Sequence, residues 1–309
     1  MPIYNVQHVT TYRYRQPVAF GEHRMMLHPR ESRDQQLLDC EIIIDPPPES
    51  LRWSRDALGN LVGTASFSGR ASELRFESVF RVAHSLSHPG DFDIAERARS
   101  LPVAFTAEEL PELASFMLRG EPSAAIAGWA RAFLNDSAPT PTLECLAAIN
   151  QAIHDDFAYV RRTERGVQEP EQTLASRCGT CRDFTVLMME ALRALGLPAR
   201  FVSGYLYVAS RDRHDIRGGG ATHAWLQIHL PGAGWVDFDP TNAIVGNAGL
   251  IPVAIACEPE DATPLSGCFT GFRSDELGMD VTVKVTRENA EREQDAAEPT
   301  SHFALDRSG

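Results

Sequence analysis

The stretch SRCGTCRDFTVLMMEALRALGLPARFVSGYL, from Ser176 to Leu206, decides the fold of this protein. After its second cysteine, Cys181, apolar residues recur at alternating intervals of three and one, which predicts a helix with one buried face. These residues are Phe184, Leu187, Met188, Ala191, Leu192 and Leu195. Gly196 and Pro198 then predict the end of the helix, because glycine favours the position after a helix and proline cannot continue one. Cys181 is therefore predicted to be the first residue of a buried helix.

The start of this helix is a favourable place for a reactive thiol. Thr180 is predicted to cap the helix, and Asp183 is an acidic residue in its first turn. The backbone N–H groups of a first turn have no partner within the helix, and the helix dipole favours an anion there. Both effects lower the pKa of a thiol, so Cys181 is a candidate nucleophile. A cysteine that only packs at the start of a core helix remains the structural alternative.

Cys178 lies three residues before Cys181, a spacing that also occurs in redox and zinc sites. A zinc site needs two further ligands, and the chain has no second CxxC motif; Cys257 and Cys268 stand eleven residues apart. The residues before Cys178, EPEQTLAS, predict a short helix or loop, whereas a thioredoxin-type motif follows a strand. We expect no metal and no organic cofactor. Cys178 is either a packing residue or a thiol that traps oxidised Cys181 as a reversible disulfide.

The segment THAWLQIHLPGAGWVDFDPTN, residues 222–242, predicts a β-hairpin of two alternating strands. His223 begins the first strand and Asp239 ends the second. A three-residue loop, such as Pro231–Gly232–Ala233, places Asp239 diagonal to His223 on the same side, and an even-numbered loop places them on opposite faces. Asp237 lies on the same face as Asp239 but nearer the loop, where it is less able to reach His223. A Cys–His–Asp triad is thus geometrically available.

Together these motifs resemble the transglutaminase-like superfamily, in the bacterial branch whose members are described as candidate cysteine proteases. The family uses the cysteine of G-x-C-x-D-F, the histidine of H-A-W and the aspartate of F-D-P-T, which correspond to Cys181, His223 and Asp239. The stretch QHVTTYRYRQPVAFGEHRMMLHPR resembles the family's N-terminal β-region. The resemblance implies an α+β fold in which a papain-like catalytic core follows a β-rich N-terminal domain. Cys178 is an additional cysteine beside the implied nucleophile.

The pattern along the chain predicts four regions. They are a β-rich domain at 1–90, a helical linker region at 91–140, the catalytic domain at 141–288 and a flexible polar tail at 289–309. Thr142 is predicted to cap a helix that buries one stripe of residues, namely Cys145, Leu146, Ile149 and Ile153. The glycine-rich loop SRDRHDIRGGG, at 210–220, is predicted to be either a mobile rim of the site or an ordinary surface loop.

The net charge of −13 argues against nucleic acid and against an anionic membrane surface as partners. No segment approaches the ~18 apolar residues of a membrane span, and the N-terminus has no apolar core of signal-peptide type. We therefore expect a cytoplasmic protein. Its six cysteines are expected to be reduced thiols, because they are scattered through a long chain without an export signal.

The expected chemistry is acyl transfer from a peptide or amide substrate. Cys181 attacks the carbonyl, His223 moves the proton, and Asp239 holds the imidazole. Tyr159 is a candidate second oxyanion donor, and a core tyrosine is the alternative. Water as acceptor gives a peptidase or amidase, which we favour, and an amine gives a transglutaminase. A non-catalytic peptide-binding module on the same fold is a third possibility.

Overall fold

The computed structural model describes residues 1–117, 123–160, 166–209, 217 and 220–288. It combines an antiparallel N-terminal sheet with a second antiparallel sheet that carries helices, which confirms the expected α+β architecture. The predicted mobile loop at 210–220, apart from Arg217 and Gly220, lies outside the described residues. The predicted tail at 289–309 lies outside them as well.

The N-terminal region forms a sheet in the spatial order β2-β5-β1-β4-β3. Its strands are β1 (Ile3–Met25), β2 (Gln35–Asp45), β3 (Ser50–Arg55), β4 (Leu61–Ser66) and β5 (Ala71–His84). Buried and more exposed residues alternate along much of β1, as expected where one face of a strand packs on a core. The β-rich region predicted from the sequence is thus organised around this one long strand.

The middle of the chain alternates short strands with helices. They are β6 (Ser100–Leu101), α1 (Glu109–Leu113), α2 (Ala124–Arg131), β7 (Thr140–Pro141), α3 (Thr142–Asp156), β8 (Ala158–Tyr159), α4 (Pro170–Ser176), β9 (Cys178–Gly179) and α5 (Cys181–Ala194). Ile126 and Ala130 of α2 share one hydrophobic core with α5. The predicted linker region therefore packs against the helix that begins at Cys181.

The predicted stripe on α3 is confirmed, since all four of its residues are buried. The predicted cap, in contrast, is wrong by one position. Thr142 is already helical, and Pro141 occupies the extended cap position before it. The reason is that β7 pairs with β6 and the Thr142 N–H donates to the carbonyl oxygen of Arg99, which keeps the chain extended up to Pro141.

The second sheet is antiparallel in the order β13-β12-β11-β10-β14. Its strands are β10 (Ala199–Leu206), β11 (His223–Leu230), β12 (Gly234–Asp239), β13 (Ile244–Val245) and β14 (Leu250–Ala256). The apolar face of α5 packs with Leu226 and Ile228 of β11 in the main core. Gly196 follows α5 with a φ of 80°, so the predicted helix end is confirmed.

The chain then returns to the N-terminal sheet. Strands β15 (Leu265–Thr270) and β16 (Glu276–Arg287) both pair antiparallel with β1. The sequence predicts these residues to be part of the catalytic domain, but in the structure they extend the N-terminal sheet. The difference has a simple cause: the alternation of a strand shows which face is buried, but it does not reveal a pairing partner that is far away in the chain, such as Leu265 for Met25.

Two buried asparagines tie the N-terminal region to the second sheet. Asn60 donates from Nδ2 to the carbonyl oxygen of Ile255 (2.7 Å) and accepts from its N–H (2.9 Å), which covers the free edge of β14. Asn247 accepts from the Ser87 N–H (2.7 Å) and donates to the carbonyl oxygen of Ser85 (2.9 Å). These bonds cross between two regions that each have a sheet of their own.

Within the described part of the chain, no helix has the length and apolar character needed to cross a bilayer.

Candidate active site

The start of α5 is held in place by the carboxylate of Asp183. Its Oδ2 accepts hydrogen bonds from the Thr180 N–H (2.7 Å) and hydroxyl (2.9 Å), and its Oδ1 accepts one from the Gln168 N–H (2.7 Å). Thr180 has extended backbone angles and is the cap residue, as predicted. Asp183 is fully buried, so these bonds are shielded from water and fix the first turn that carries Cys181.

Gly179 is needed for close packing beneath this turn. A Cβ at position 179 would lie 2.8 Å from the Cβ of Asp183 and 3.2 Å from Cε1 of Phe184. Both distances are tighter than ordinary contacts, and the Asp183 side chain cannot move without losing the bonds that fix the turn. The glycine and the acid of the GTCRDF motif are thus explained by one local packing arrangement.

The hairpin has the three-residue loop on which the candidate triad depends. Leu230 pairs with Gly234 and Leu226 pairs with Phe238, which leaves Pro231, Gly232 and Ala233 in the loop. Gly232 has a φ of 91°, in the region that favours glycine. The resulting register places Asp239 beside His223 at the open end of the hairpin.

The His223 imidazole lies between Asp239 and Cys181. Its Nε2 is 2.8 Å from Oδ2 of Asp239, and both side chains are fully buried. Its Nδ1 is buried and has no partner of ordinary hydrogen-bond geometry among the described side chains. The Cys181 thiol lies near the same imidazole, and the imidazole and the Ala224 N–H both lower the pKa of this thiol. The structure thus brings together the three residues that the sequence singled out.

The three groups shift one another's pKa toward a charged state. Burial alone raises the pKa of the Cys181 thiol, but the bond to His223, its charge, Arg182 and the Ala224 N–H lower it below its ordinary value. Burial lowers the pKa of His223, but the adjacent carboxylate of Asp239 raises it well above its usual range. The arrangement therefore favours a thiolate, an imidazolium and a carboxylate in a row.

Asp239 is stabilised as an anion by further donors. Burial raises the pKa of its carboxyl group, and His223, the Asn242 side chain and the Thr241 N–H together lower it below the usual range. The Thr241 N–H donates to Oδ1 (2.9 Å), and Asn242 Nδ2 donates to Oδ2 (2.8 Å). The Asp239 carboxylate is consequently the main group that raises the pKa of the buried imidazole.

Asp237, the alternative acid, does not contact His223. Its Oδ1 accepts hydrogen bonds from Trp225 Nε1 (2.6 Å) and Gln227 Nε2 (2.9 Å). Burial is the largest influence on Asp237 and raises its pKa to about 6. Asp237 is predicted to be less able than Asp239 to reach His223 because it lies nearer the loop, and the structure has His223 in contact with Asp239.

Each strand of this hairpin carries a tryptophan. Trp225 is fully buried, and its ring lies nearly parallel to the His223 imidazole, with 6.0 Å between ring centroids. Trp235 is partly buried and packs against Phe116, with the Arg200 guanidinium 3.9 Å above its ring. Trp225 is therefore a core residue that also forms one wall beside the imidazole.

The roles predicted for Tyr159 and Cys178 remain predictions. The Tyr159 ring packs near Phe184, at a centroid distance of 6.5 Å, and its role as an oxyanion donor stays a prediction. The Cys178 sulfur lies 3.5 Å from the Ser176 hydroxyl oxygen, and its role as a redox trap also stays a prediction. All six cysteines are free thiols in the structure.

In the described ranges, no group of three or more His, Cys, Asp or Glu side chains is placed to hold a metal ion.

The sequence did not point to three of the groups that contact this site. They are the backbone N–H groups of Ala224 and Thr241 and the side chain of Asn242. A backbone donor leaves no signal in a sequence, because every residue except proline carries one. The signal for Asn242 was its place three residues after Asp239, where the chain must turn after β12.

Comparisons with known proteins identify the family of this chain. Residues 4–83 match the family described as bacterial transglutaminase-like N-terminal region, and residues 129–240 match the transglutaminase-like superfamily. An uncharacterized protein of Mycobacterium tuberculosis is 30% identical over 290 residues, which cover 91% of this chain and 92% of that protein. A protein-glutamine gamma-glutamyltransferase of Pseudomonas aeruginosa is 31% identical over 108 residues, which cover 31% of this chain and 15% of the enzyme.

A solved structure shares the overall fold. A candidate cysteine protease from Cytophaga hutchinsonii superposes with a TM-score of 0.67 at 18% sequence identity. The match covers 99% of this chain and 94% of that protein. The likeness extends over the N-terminal sheet as well as the catalytic core.

Proposed function

Because this chain belongs to the transglutaminase-like superfamily, we propose that it catalyses thiol-dependent acyl transfer at amide bonds through Cys181, His223 and Asp239. One observation carries the proposal: the buried His223 imidazole lies between the carboxylate of Asp239 and the thiol of Cys181. Cys181, His223 and Asp239 are 7%, 1% and 0% exposed, respectively. Their charges therefore interact with little screening by water.

In the first half-reaction, the Cys181 thiolate attacks the carbonyl carbon of the amide, and a new C–S bond forms. The electron pair of the C=O π bond moves to the oxygen. When the tetrahedral intermediate collapses, the C–N bond breaks, and the His223 imidazolium gives its proton to the leaving amine. A thioester on Cys181 and a neutral imidazole remain. Asp239 holds the imidazole in the orientation that both proton transfers need.

The negative oxygen of the intermediate needs donors. Cys181 is the first residue of α5, so its backbone N–H makes no bond within the helix, and the helix dipole adds positive potential at this point. We assign the first oxyanion donor to this N–H. The Tyr159 hydroxyl is the candidate for the second, in keeping with its place in β8, which pairs with the strand just before α5.

In the second half-reaction, an acceptor attacks the carbonyl carbon of the thioester while neutral His223 takes the acceptor's proton. The C–S bond then breaks, the acyl group leaves on the acceptor, and Cys181 and His223 return to thiolate and imidazolium. Water as the acceptor makes the protein a peptidase or amidase, and this is the reaction that we favour, since it requires no second substrate. An amine as the acceptor makes it a transglutaminase. The similarity of 108 residues to a protein-glutamine gamma-glutamyltransferase favours that second candidate.

The two acceptors can be separated in one experiment. The protein is incubated with casein as a mixed amide substrate, with and without a fluorescent primary amine. Peptide release and ammonia release are measured together with covalent incorporation of the amine. Hydrolysis predicts peptide or ammonia release that the amine does not change, and transfer predicts incorporation of the amine into casein.

Two variants provide the controls. Cys181→Ala should abolish every product, and Cys268→Ala, which removes an exposed cysteine on β15, should leave all of them unchanged. Casein binding without any product from the unmodified protein would instead support the non-catalytic peptide-binding module.

A further inference from the structure

Asn242 donates a second side-chain hydrogen bond to the Asp239 carboxylate, beside that of His223. Its Nδ2 donates to Oδ2 of Asp239 (2.8 Å), the same oxygen that contacts His223 Nε2. The Thr241 N–H donates to the other oxygen, Oδ1 (2.9 Å). The carboxylate is fully buried, so these contacts replace water as the groups that fix its rotation and stabilise its charge.

The Asn242 amide is itself held in one orientation. Its Oδ1 accepts a hydrogen bond from the Arg217 N–H (2.9 Å), and its Nδ2 also donates to the Arg217 carbonyl oxygen (3.3 Å). An amide turned by 180° would place an oxygen against the carboxylate of Asp239 and an NH2 group against the Arg217 N–H. Arg217 therefore requires the orientation in which Nδ2 faces Asp239.

Arg217 is anchored on the C-terminal end of α3. Its Nη1 donates to the carbonyl oxygens of His154 (2.9 Å) and Phe157 (3.3 Å). The same end of α3 reaches the other donor to Asp239, because His154 Nδ1 lies 2.9 Å from the carbonyl oxygen of Thr241. One helix end thus supports both of the residues after β12 that bind the carboxylate.

We propose that Asn242, held by Arg217, is a positioning residue that keeps Asp239 ionised and aimed at His223. The inference rests on the proposed function, in which the imidazolium supports the Cys181 thiolate. Asn242 does not touch substrate; it acts through Asp239 and then through His223. Without the Nδ2 donor, the carboxylate is free to rotate and is less stable as an anion, so the thiolate loses part of its support.

The test measures alkylation of Cys181 by iodoacetamide as a function of pH, followed by mass spectrometry of the modified peptide. This readout needs no substrate and reports the thiolate fraction. Asn242→Ala should raise the pKa of the Cys181 thiol and lower the alkylation rate near pH 6 about tenfold. Asn150→Ala is the matched control, because Asn150 is a buried asparagine that donates to the Ile244 carbonyl oxygen and does not touch Asp239. It should lower thermal stability and leave the alkylation profile unchanged.

Asn242→Asp separates a positioning role from a purely structural one. Aspartate has the shape of asparagine and can still accept from the Arg217 N–H, so a structural role predicts an unchanged profile. Under the proposal, the carboxyls at 242 and 239 share one proton at low pH, and Cys181 alkylation is close to that of the unmodified protein. As pH rises and the shared proton is lost, the two carboxylates repel each other, and the alkylation rate falls below that of the unmodified protein at the same pH.

The outcomes separate the two proposals. A pKa for Cys181 of about 8.5 in the unmodified protein would reject the proposed function itself. A low pKa that neither Asn242 variant changes would overturn only the role of Asn242. If Asn242→Ala does not fold, Asn242→Asp decides alone: a rate that falls below that of the unmodified protein as pH rises supports the role, and a profile identical to that of the unmodified protein overturns it.

Discussion

Asp237 and Asp239 lie two residues apart on the same strand, β12, yet their pKa values are shifted in opposite directions because different donors reach them. Asp239 accepts from His223, Thr241 and Asn242, and these donors lower its pKa. In the part of the chain that the structure describes, the side-chain donors to Asp237 are the uncharged Trp225 and Gln227, both on Oδ1, and burial raises its pKa to about 6. Burial penalises both anions, so the donor set decides which carboxyl group has the lower pKa.

The position of each aspartate in the hairpin decides which hydrogen-bond donors it contacts. At the open end of the hairpin, Asp239 meets the first residue of β11 and the turn that follows β12. In the middle of the hairpin, Asp237 accepts hydrogen bonds from Trp225 and Gln227 on the neighbouring strand β11. The two acids therefore have separate roles that substitution can distinguish.

The largest expected effect is that of Asp239→Asn. The amide keeps the shape of the carboxylate but presents the wrong hydrogen bond to His223 and no charge, so acyl-transfer activity should fall about 10³- to 10⁴-fold, as it does when this acid is neutralised in other triads. Asp237→Asn should change activity less than about tenfold. The measurement is the rate of product release from casein for both variants. Equal losses, or a larger loss for Asp237→Asn, would contradict the assignment.

A smaller effect is expected on the pH dependence of stability. Since the pKa of Asp237 is about 6 in the folded protein and about 3.9 when unfolded, the folded state binds more protons between these values. Its contribution to stability is therefore fully present below pH 4 and is lost as pH rises through 6, by about 1–3 kcal/mol. Asp237→Asn keeps an oxygen that can accept from Trp225 and Gln227, and it removes this dependence.

Urea unfolding at pH 4 and at pH 7.5 checks the second prediction. The free energy of unfolding of Asp237→Asn, relative to that of the unmodified protein, should be higher at pH 7.5 than at pH 4. Asp239→Asn serves as the control with the opposite sign, because the lowered pKa of Asp239 stabilises the fold above about pH 4 and is lost on acidification. A difference between Asp237→Asn and the unmodified protein that stays constant with pH would show that Asp237 is ionised as easily as a surface acid.

These predictions depend on features that the sequence reveals to different degrees. The start of α5 and the hairpin could be predicted because periodicity, the Thr180 cap and Gly232 act over a few residues. The pairing of β16 with β1 could not, because it joins residues far apart in the chain. The role of Asn242 was also hidden, since it depends on where Arg217 and the end of α3 come to lie.

The smallest expected effect is that of Trp225→Phe. A phenyl ring can still pack beside His223, but it lacks the Nε1 donor to Asp237, so the pKa of Asp237 should rise further. Activity should change by no more than a few-fold, and the smaller ring should cost about 1–3 kcal/mol of stability. Kinetics with casein and urea unfolding measure the two effects. A loss of activity as large as that of Asp239→Asn would show that the indole acts on His223 directly.

The central claim is that Cys181 is an activated thiolate supported by His223 and Asp239. The most direct measurement is iodoacetamide labelling over a pH series, with mass spectrometry to locate the modified cysteine. Cys181 should react first, with a reactive fraction at pH values well below the ordinary thiol pKa of ~8.5, and His223→Ala should return it toward that value. If Cys178 or Cys268 reacts first while Cys181 stays inert, the claim is contradicted.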